Sequence, residues 1–296
     1  MKKIVVIAGP TAIGKSELGV TLSEKFNGEV VSADSRQIYQ GLNIGTGKIT
    51  EKERRGIPHH LLDLVSPQET WSAAEYQKHA HHAIAMIHAK KHTPFIVGGT
   101  GFYIDAVLFK PSFPEVPPNK EYRGTLQPLP TEALYDLLKE RDLVRAENID
   151  PKNRVRLIRA LEVIRALGKV PPLPAREPMY EALIIGLTLP MNELRLRINE
   201  RLKDRLQAGM IEEARELYTH GLSWERMREL GLEYRAMADF LTHKISREAM
   251  THRLEQEILT YAKRQMTWFK RNKKIQWFSP VAEKTISTEV KNFLLE

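Results

Sequence analysis

Short apolar runs alternate with longer stretches of helical periodicity along much of the chain. The runs are IVVIA (4–8), EVVSAD (29–34), PFIVGG (94–99) and ALIIGLTL (182–189). Unbroken β-branched runs of this length mark strands buried on both faces of a parallel sheet. Helices are expected between them, at 15–27 and 72–90. Strands that alternate with helices specify a doubly wound α/β core flanked by helices. The pattern then breaks: 111–130 is dense in proline (Pro111, Pro114, Pro117, Pro118, Pro128, Pro130), and VPPLPAREP spans 170–178. These stretches bracket a helical segment, 131–168, like the hinges of an insertion. From 190 onward the chain reads as long amphipathic helices, and Met250, Leu254, Ile258, Ala262, Met266 and Phe269 keep the 3.6-residue period. The expected organisation is a core domain of 1–111 with 182–296 and an inserted all-helical domain of 112–181.

Composition removes several classes of function. Cysteine is absent, which excludes disulfides, thiolate metal sites and cysteine nucleophiles. No apolar run approaches the roughly 20 residues of a membrane span, so no membrane partner is expected. The N-terminal MKKIVVIAGP is apolar only as far as Gly9 and Pro10, too short for a secretory signal, and a cytoplasmic location is expected. The net charge of +8 and pI near 9.5 favour an anionic partner. Because the charge is spread over the whole chain, nucleic acid would lie across folded surfaces rather than on a basic arm. Nothing in the sequence calls for an obligate protein partner.

Residues 9–16, GPTAIGKS, carry the phosphate-loop pattern: glycine, four residues, then glycine, lysine and serine. The motif lies between a buried strand and a helix, the context its physics requires. Backbone amides and the positive end of the helix converge on a phosphate, Lys15 neutralises its outer oxygens, and the Ser16 hydroxyl can hold a magnesium ion. The expected phosphate-binding set is therefore Gly9, Pro10, Thr11, Ala12, Ile13, Gly14, Lys15 and Ser16. The core reads as a P-loop NTPase-like parallel sheet. The loop implies a di- or triphosphate and leaves the chemistry open.

Asp34 stands at the carboxyl end of the second strand beside this loop, where open α/β sheets place reactive groups. On position alone it is a magnesium ligand or a helix cap. Thr100, in GGTGFY (98–103), could contact phosphate or cap the next helix. Tyr103 is open between core packing and substrate contact. His59 and His60 point to opposite faces of an extended segment and are not expected to bind metal. His79, His81 and His82 read as a solvated helix face.

Longer strings narrow the choice. DSRQIYQGLNIGT (34–46) resembles the segment after the second strand of the tRNA dimethylallyltransferases, also called tRNA isopentenyltransferases. The likeness extends through GPTAIGKS, IPHHLLDLVSP (57–67), WSAAEYQ (71–77), GGTGFY, RLIRALEV (156–163), RINERL with the later AGM (197–210) and YAKRQMTWFKR (261–271). That family moves the prenyl group of dimethylallyl pyrophosphate to the exocyclic amine of the adenosine 3′ of the anticodon. The resemblance implies that Asp34 is the general base, that Thr11, Lys15 and Ser16 hold pyrophosphate with Mg2+ at Ser16, and that Thr100 faces the reaction. It further implies that Arg201 neutralises the departing pyrophosphate. The tRNA anticodon loop would meet Asp34, Ser35, Arg36, Gln37, Thr100, Arg123, Val155, Arg156, Leu157, Ile158 and Arg159. The chain departs from the family at Ile13, at ELGLEY (229–234) and at Ile258 and Leu259.

Arginines repeat at helical spacing in Arg197, Arg201 and Arg205, opposite an apolar stripe of Leu194, Ile198, Leu202 and Leu206. Arg154, Arg156 and Arg159 form a second basic group, and Lys263, Arg264, Lys270 and Arg271, near Tyr261 and Trp268, form a third. These suit phosphate gripping and base stacking, although solvated helix faces look alike. Two competing functions remain at this level. A small-molecule or nucleotide kinase would use the same loop with Asp63 as its best acid, and a non-enzymatic RNA-binding protein would leave Lys15 and Ser16 without a task.

Overall fold

Six parallel strands form one sheet in the order β3-β2-β4-β1-β5-β6 in the computed structural model, which describes residues 1–110, 114, 116–172 and 177–296. The chain runs β1 (Lys3–Ala8), α1 (Lys15–Lys25), β2 (Gly28–Ser32), α2 (Glu51–Arg54), β3 (His59–His60), α3 (Ala73–Ala89), β4 (Thr93–Gly98) and α4 (Gly101–Leu108). Then follow α5 (Lys120–Leu126), α6 (Thr131–Arg141), α7 (Leu143–Glu147), α8 (Arg154–Leu167) and β5 (Glu181–Leu187). The C-terminal part holds α9 (Met191–Gln207), α10 (Met210–Thr219), α11 (Trp224–Glu229), α12 (Leu232–Leu241), α13 (Arg247–Phe269), β6 (Gln276–Phe278) and α14 (Glu283–Leu295).

The α/β expectation is met, and the reason is visible in burial. Ile4 to Ala8 are wholly inaccessible because β1 is central, pairing in parallel with β4 and with β5. The edge strands β3 and β6 are short and half-buried, so they lack the continuous apolar run by which the inner strands announce themselves. The second strand ends at Ser32 instead of 34, so Ala33 and Asp34 already belong to the turn above the sheet. Helix α3 begins where WSAAEYQ signals it, with Ser72 and Glu75 forming a reciprocal capping box.

The chain divides into two compact units, Met1–Lys110 with Glu177–Glu296, and Pro111–Arg176. The second unit packs α5, α6, α7 and α8 around Tyr122, Leu126, Leu134, Leu138, Leu157 and Leu161. The expected single helical stretch at 131–168 is divided at Asp142 and after Glu147, where Asp142 and Asn153 start new helices as side-chain caps. Pro111 and residues 173–176 of VPPLPAREP lie outside the described residues. No described helix is long and apolar enough to cross a membrane.

Candidate active site

The phosphate loop leaves the sheet through a position only glycine fills. Gly9 has φ 150°, and a Cβ there would lie 2.8 Å from the Leu187 carbonyl oxygen of β5. Ala12 is held at φ 62°, a left-handed conformation unusual for a residue with a side chain, and Ile13 is wholly buried as the anchor of the loop. Strain of this kind collects where a backbone is shaped for a ligand. Gly14 precedes the first turn of α1, whose leading amides have no partner within the helix and point at the loop's concavity. Lys15 donates Nζ to the Pro10 carbonyl at 2.7 Å. Burial, opposed by Asp34 and reinforced by Arg201, pushes its ammonium down to about 8.

Above β2, Asp34 closes its own turn by accepting the Arg36 amide at 2.9 Å. Thr100 stands at the N-cap position of α4, yet its hydroxyl does not cap the helix. It accepts the Ser35 amide at 3.1 Å and is hydrogen-bonded to Tyr261, and so joins the turn after β2 to α13. Gln37 donates to the Gly47 carbonyl at 3.3 Å. Tyr103 is buried and stacks on Tyr76 with ring centroids 3.8 Å apart, which makes it a core residue.

Two cavities meet at this turn. The first, of about 440 Å³, is lined by the loop from Thr11 to Glu17, by Asp34 and Gln37, by Thr46 and Gly47, and by Arg197, Arg201 and Arg205 of α9. All three arginines of the helical row therefore face the phosphate loop. Their opposite stripe, Leu194, Ile198 and Leu202, is buried. The second cavity, of about 290 Å³, is lined by Asp34, Ser35, Arg36, Gly99, residues 228–229, 231–233 and 235, and by Ile258, Tyr261, Arg264 and Gln265 of α13. Thr11, Lys15, Asp34, Thr46 and Arg205 belong to both. One cavity is thus built on the phosphate loop, and the other, lined largely by residues of separate turns and helices, shares its carboxylate Asp34.

Three residues that sequence reasoning passed over hold this arrangement. Gln265 is buried, accepts the Thr11 amide at 2.9 Å and donates to the Gly99 carbonyl at 2.8 Å, stapling the phosphate loop to the end of β4. It lies on the apolar side of α13, and a glutamine in such a stripe is a signal that can be read from sequence. Glu213 of α10 accepts the amides of Asn43, Ile44 and Gly45 and the Tyr234 hydroxyl at 2.7–3.0 Å. Burial holds the Glu233 carboxyl above its ordinary range against the pull of Arg205, 3.9 Å away. No sequence pattern points to either glutamate, because their partners lie in distant segments.

In the second unit, Val155 and Arg156 are exposed, whereas Leu157 and Ile158 are committed to that unit's core. Arg159 donates to the Val116 carbonyl at 2.7 Å. Arg123 makes a two-pronged pair with the buried Glu162, with Nε and Nη2 each at 2.8 Å. That carboxyl lies below its usual range because Arg123, the Asn119 amide and Arg159 outweigh burial.

Two further expectations change. His81 is not part of a solvated face: its Nδ1 is 2.9 Å from the Tyr180 hydroxyl, packed where α3 meets the start of β5. Asp63, the acid of the kinase alternative, is paired with the buried Lys48 and does not line either cavity. Of the third basic group, only Arg264 lines the second cavity, together with Tyr261. Lys263, Lys270 and Arg271 are exposed elsewhere, Arg271 over the Trp268 ring.

The family profile described as IPP transferase matches residues 37–272. A tRNA dimethylallyltransferase of Geobacillus kaustophilus is 42% identical over 256 residues, 83% of this chain and 80% of that protein. The crystal structure of a tRNA isopentenylpyrophosphate transferase from Bacillus halodurans superposes with a TM-score of 0.76 at 36% identity, covering 99% of this chain and 97% of that one. A eukaryotic dimethylallyltransferase acting on tRNA superposes with a TM-score of 0.81 at 28% identity, covering 95% of this chain and 74% of that one. The chain belongs to the IPP transferase family.

Proposed function

We propose that the protein transfers a dimethylallyl group from dimethylallyl pyrophosphate to the exocyclic amine of the adenosine 3′ of the anticodon in tRNA. The observation that carries this reading is the pair of cavities sharing Asp34, one built on the phosphate loop and the other lined in part by residues of α12 and α13. A cytoplasmic location follows from such a substrate.

The amine is a poor nucleophile because its lone pair is delocalised into the adenine ring. Asp34 accepts the amine proton as nitrogen bonds to the allylic carbon, while the carbon–oxygen bond breaks and its electron pair leaves with pyrophosphate. A base so positioned contributes about 10² to 10⁴ in rate. Lys15, the amides of the loop and Arg201 carry the charge gained by the leaving group. The adenine must leave the stacked anticodon loop to reach Asp34. Ser35 and Arg36 shape the wall it meets, Thr100 holds the Ser35 amide, and Gln37 stands on the side of the phosphate loop. Arg123 and residues 155–159 are proposed to contact the RNA from the second unit, with Arg156 exposed and without a carboxylate partner among the described residues. Because Leu157 and Ile158 are core residues, they would act by shaping that surface.

Magnesium fits the loop as a companion of the donor. The cavity on the loop offers the Ser16 hydroxyl beside the oxygens of a bound diphosphate, with the carboxylates of Asp34 and Glu53 in the same lining, an all-oxygen donor set that suits Mg2+. It would neutralise charge on the leaving pyrophosphate.

The test supplies an anticodon stem-loop with radiolabelled dimethylallyl pyrophosphate or labelled ATP. Label from the prenyl donor in the RNA is the expected result. Label from ATP alone would establish a kinase.

A further inference from the structure

The reaction leaves one charge unaccounted for. As the carbon–oxygen bond lengthens ahead of nitrogen attack, positive charge develops on the allylic carbon. That carbon must lie between the phosphate loop and Asp34, hence at the junction common to both cavities, whose walls are Thr11, Lys15, Asp34, Thr46 and Arg205. Lys15 and Arg205 are cations and oppose such charge. Asp34 faces the amine, and Thr11 belongs to the phosphate loop itself, where its hydroxyl is a donor for the diphosphate.

Thr46 is different. Its hydroxyl hydrogen is committed to the Leu42 carbonyl at 2.6 Å, with the Asn43 carbonyl at 3.3 Å. A hydroxyl has one hydrogen and two lone pairs, so with its hydrogen committed the Thr46 hydroxyl has only acceptor density to offer the junction. The turn that carries it is fixed from several sides. Glu213 accepts three successive amides just before it, Gly45 packs so closely on Tyr234 that a Cβ would come within 2.7 Å of the ring, and Gln37 bonds Gly47. Arg205 is held by the Gly45 carbonyl at 3.4 Å and lies 3.9 Å from Glu233.

We propose that Thr46 is a catalytic residue whose hydroxyl oxygen stabilises the positive charge developing on the allylic carbon, with Glu213 as the positioning residue that aims it. The dipole is fixed before reaction begins, the condition under which such groups are effective. No new bond is made at Thr46. The carbon–oxygen electron pair leaves with pyrophosphate, the amine supplies the pair for the new bond, and the amine proton passes to Asp34.

This inference rests on the prenyl-transfer reading, and its test separates the two. The probes are dimethylallylammonium, a cation of the donor's shape, and the neutral alcohol 3-methylbut-2-en-1-ol, each with inorganic pyrophosphate. Affinities are measured in an Asp34→Asn background, so that the aspartate's own charge does not bias the comparison. The preference for the ammonium over the alcohol is expected to fall several-fold on Thr46→Val and to return in Thr46→Ser. A merely loosened turn weakens both probes alike and leaves their ratio unchanged, which would overturn the proposal. With Asp34 intact, Thr46→Val is expected to slow single-turnover transfer about tenfold or more, with Thr46→Ser recovering most of the loss. A wild-type protein that transfers no prenyl label would instead overturn the function itself.

Discussion

The two cavities that meet at Asp34 are built in opposite ways. The phosphate side draws on one continuous segment, residues 11–17, and on one face of α9. The facing side gathers residues 34–36, 228–235 and 258–265 from separate turns and helices. Their charges differ too. Arg197 and Arg201 have no ion-pair partner among the described residues and face the phosphate loop directly. On the other side, Arg228 and Arg253 share Asp239 at 2.8 and 2.9 Å, and Arg253 and Arg235 share Glu257 at 2.9 and 3.2 Å. Counting basic residues therefore overstates the cations that side has free for an anionic partner. Arg36 and Arg264 line the cavity without a carboxylate partner among the described residues, so under the proposed function they are the ones expected to meet phosphates.

The largest effect expected from this division is at Lys15. Lys15→Ala should lower single-turnover transfer by about 10² or more while RNA affinity stays within a few fold. An equal loss of both would erase the distinction between the cavities. Next comes pH. The Lys15 ammonium lies at about 8, so it is charged below that value and loses its proton above it. Donor affinity should therefore decline above pH 8 by as much as about tenfold per unit, whereas RNA affinity, which rests on arginines, should stay level. Parallel declines would place the titrating group on the RNA side. At the staple between the two sides, Gln265→Leu leaves the Thr11 amide and the Gly99 carbonyl without partners, at a cost of about 1–3 kcal/mol each in stability. Denaturant unfolding measures it, and donor affinity should fall with it. The smallest effect is the most discriminating. Arg36→Ala and Arg264→Ala should each lower the salt dependence of RNA binding by about one counterion, and Arg228→Ala should destabilise the fold without changing that slope. Equal slopes for all three would mean that the ion-pair network opens on binding.

The same asymmetry explains what was legible in the sequence. Buried runs such as IVVIA and the loop GPTAIGKS are contiguous, and their chemistry follows from spacing along the chain. Asp34 is found because it follows a strand beside that loop. Two-residue β3 carries no such run, and β2 stops short because its last apolar position, Ala33, is already in the turn. Glu213, Glu233 and Gln265 act through partners roughly 20 to 250 residues away, so only tertiary structure shows what they hold. His81 misled for a related reason: the histidines beside it, His79 and His82, are exposed, and its hydroxyl partner Tyr180 arrives from another segment.

The central claim is that one carboxylate stands between a donor bound on the loop and an amine arriving from the other side. Asp34→Asn keeps the shape of the side chain and removes its ability to take a proton. The direct measurement is the single-turnover rate of this variant, with donor and RNA affinities determined across a magnesium series. The rate should fall by about 10² or more, with both affinities close to wild type at every magnesium concentration. Weakened donor binding that excess magnesium restores, or a rate near wild type, would contradict the account.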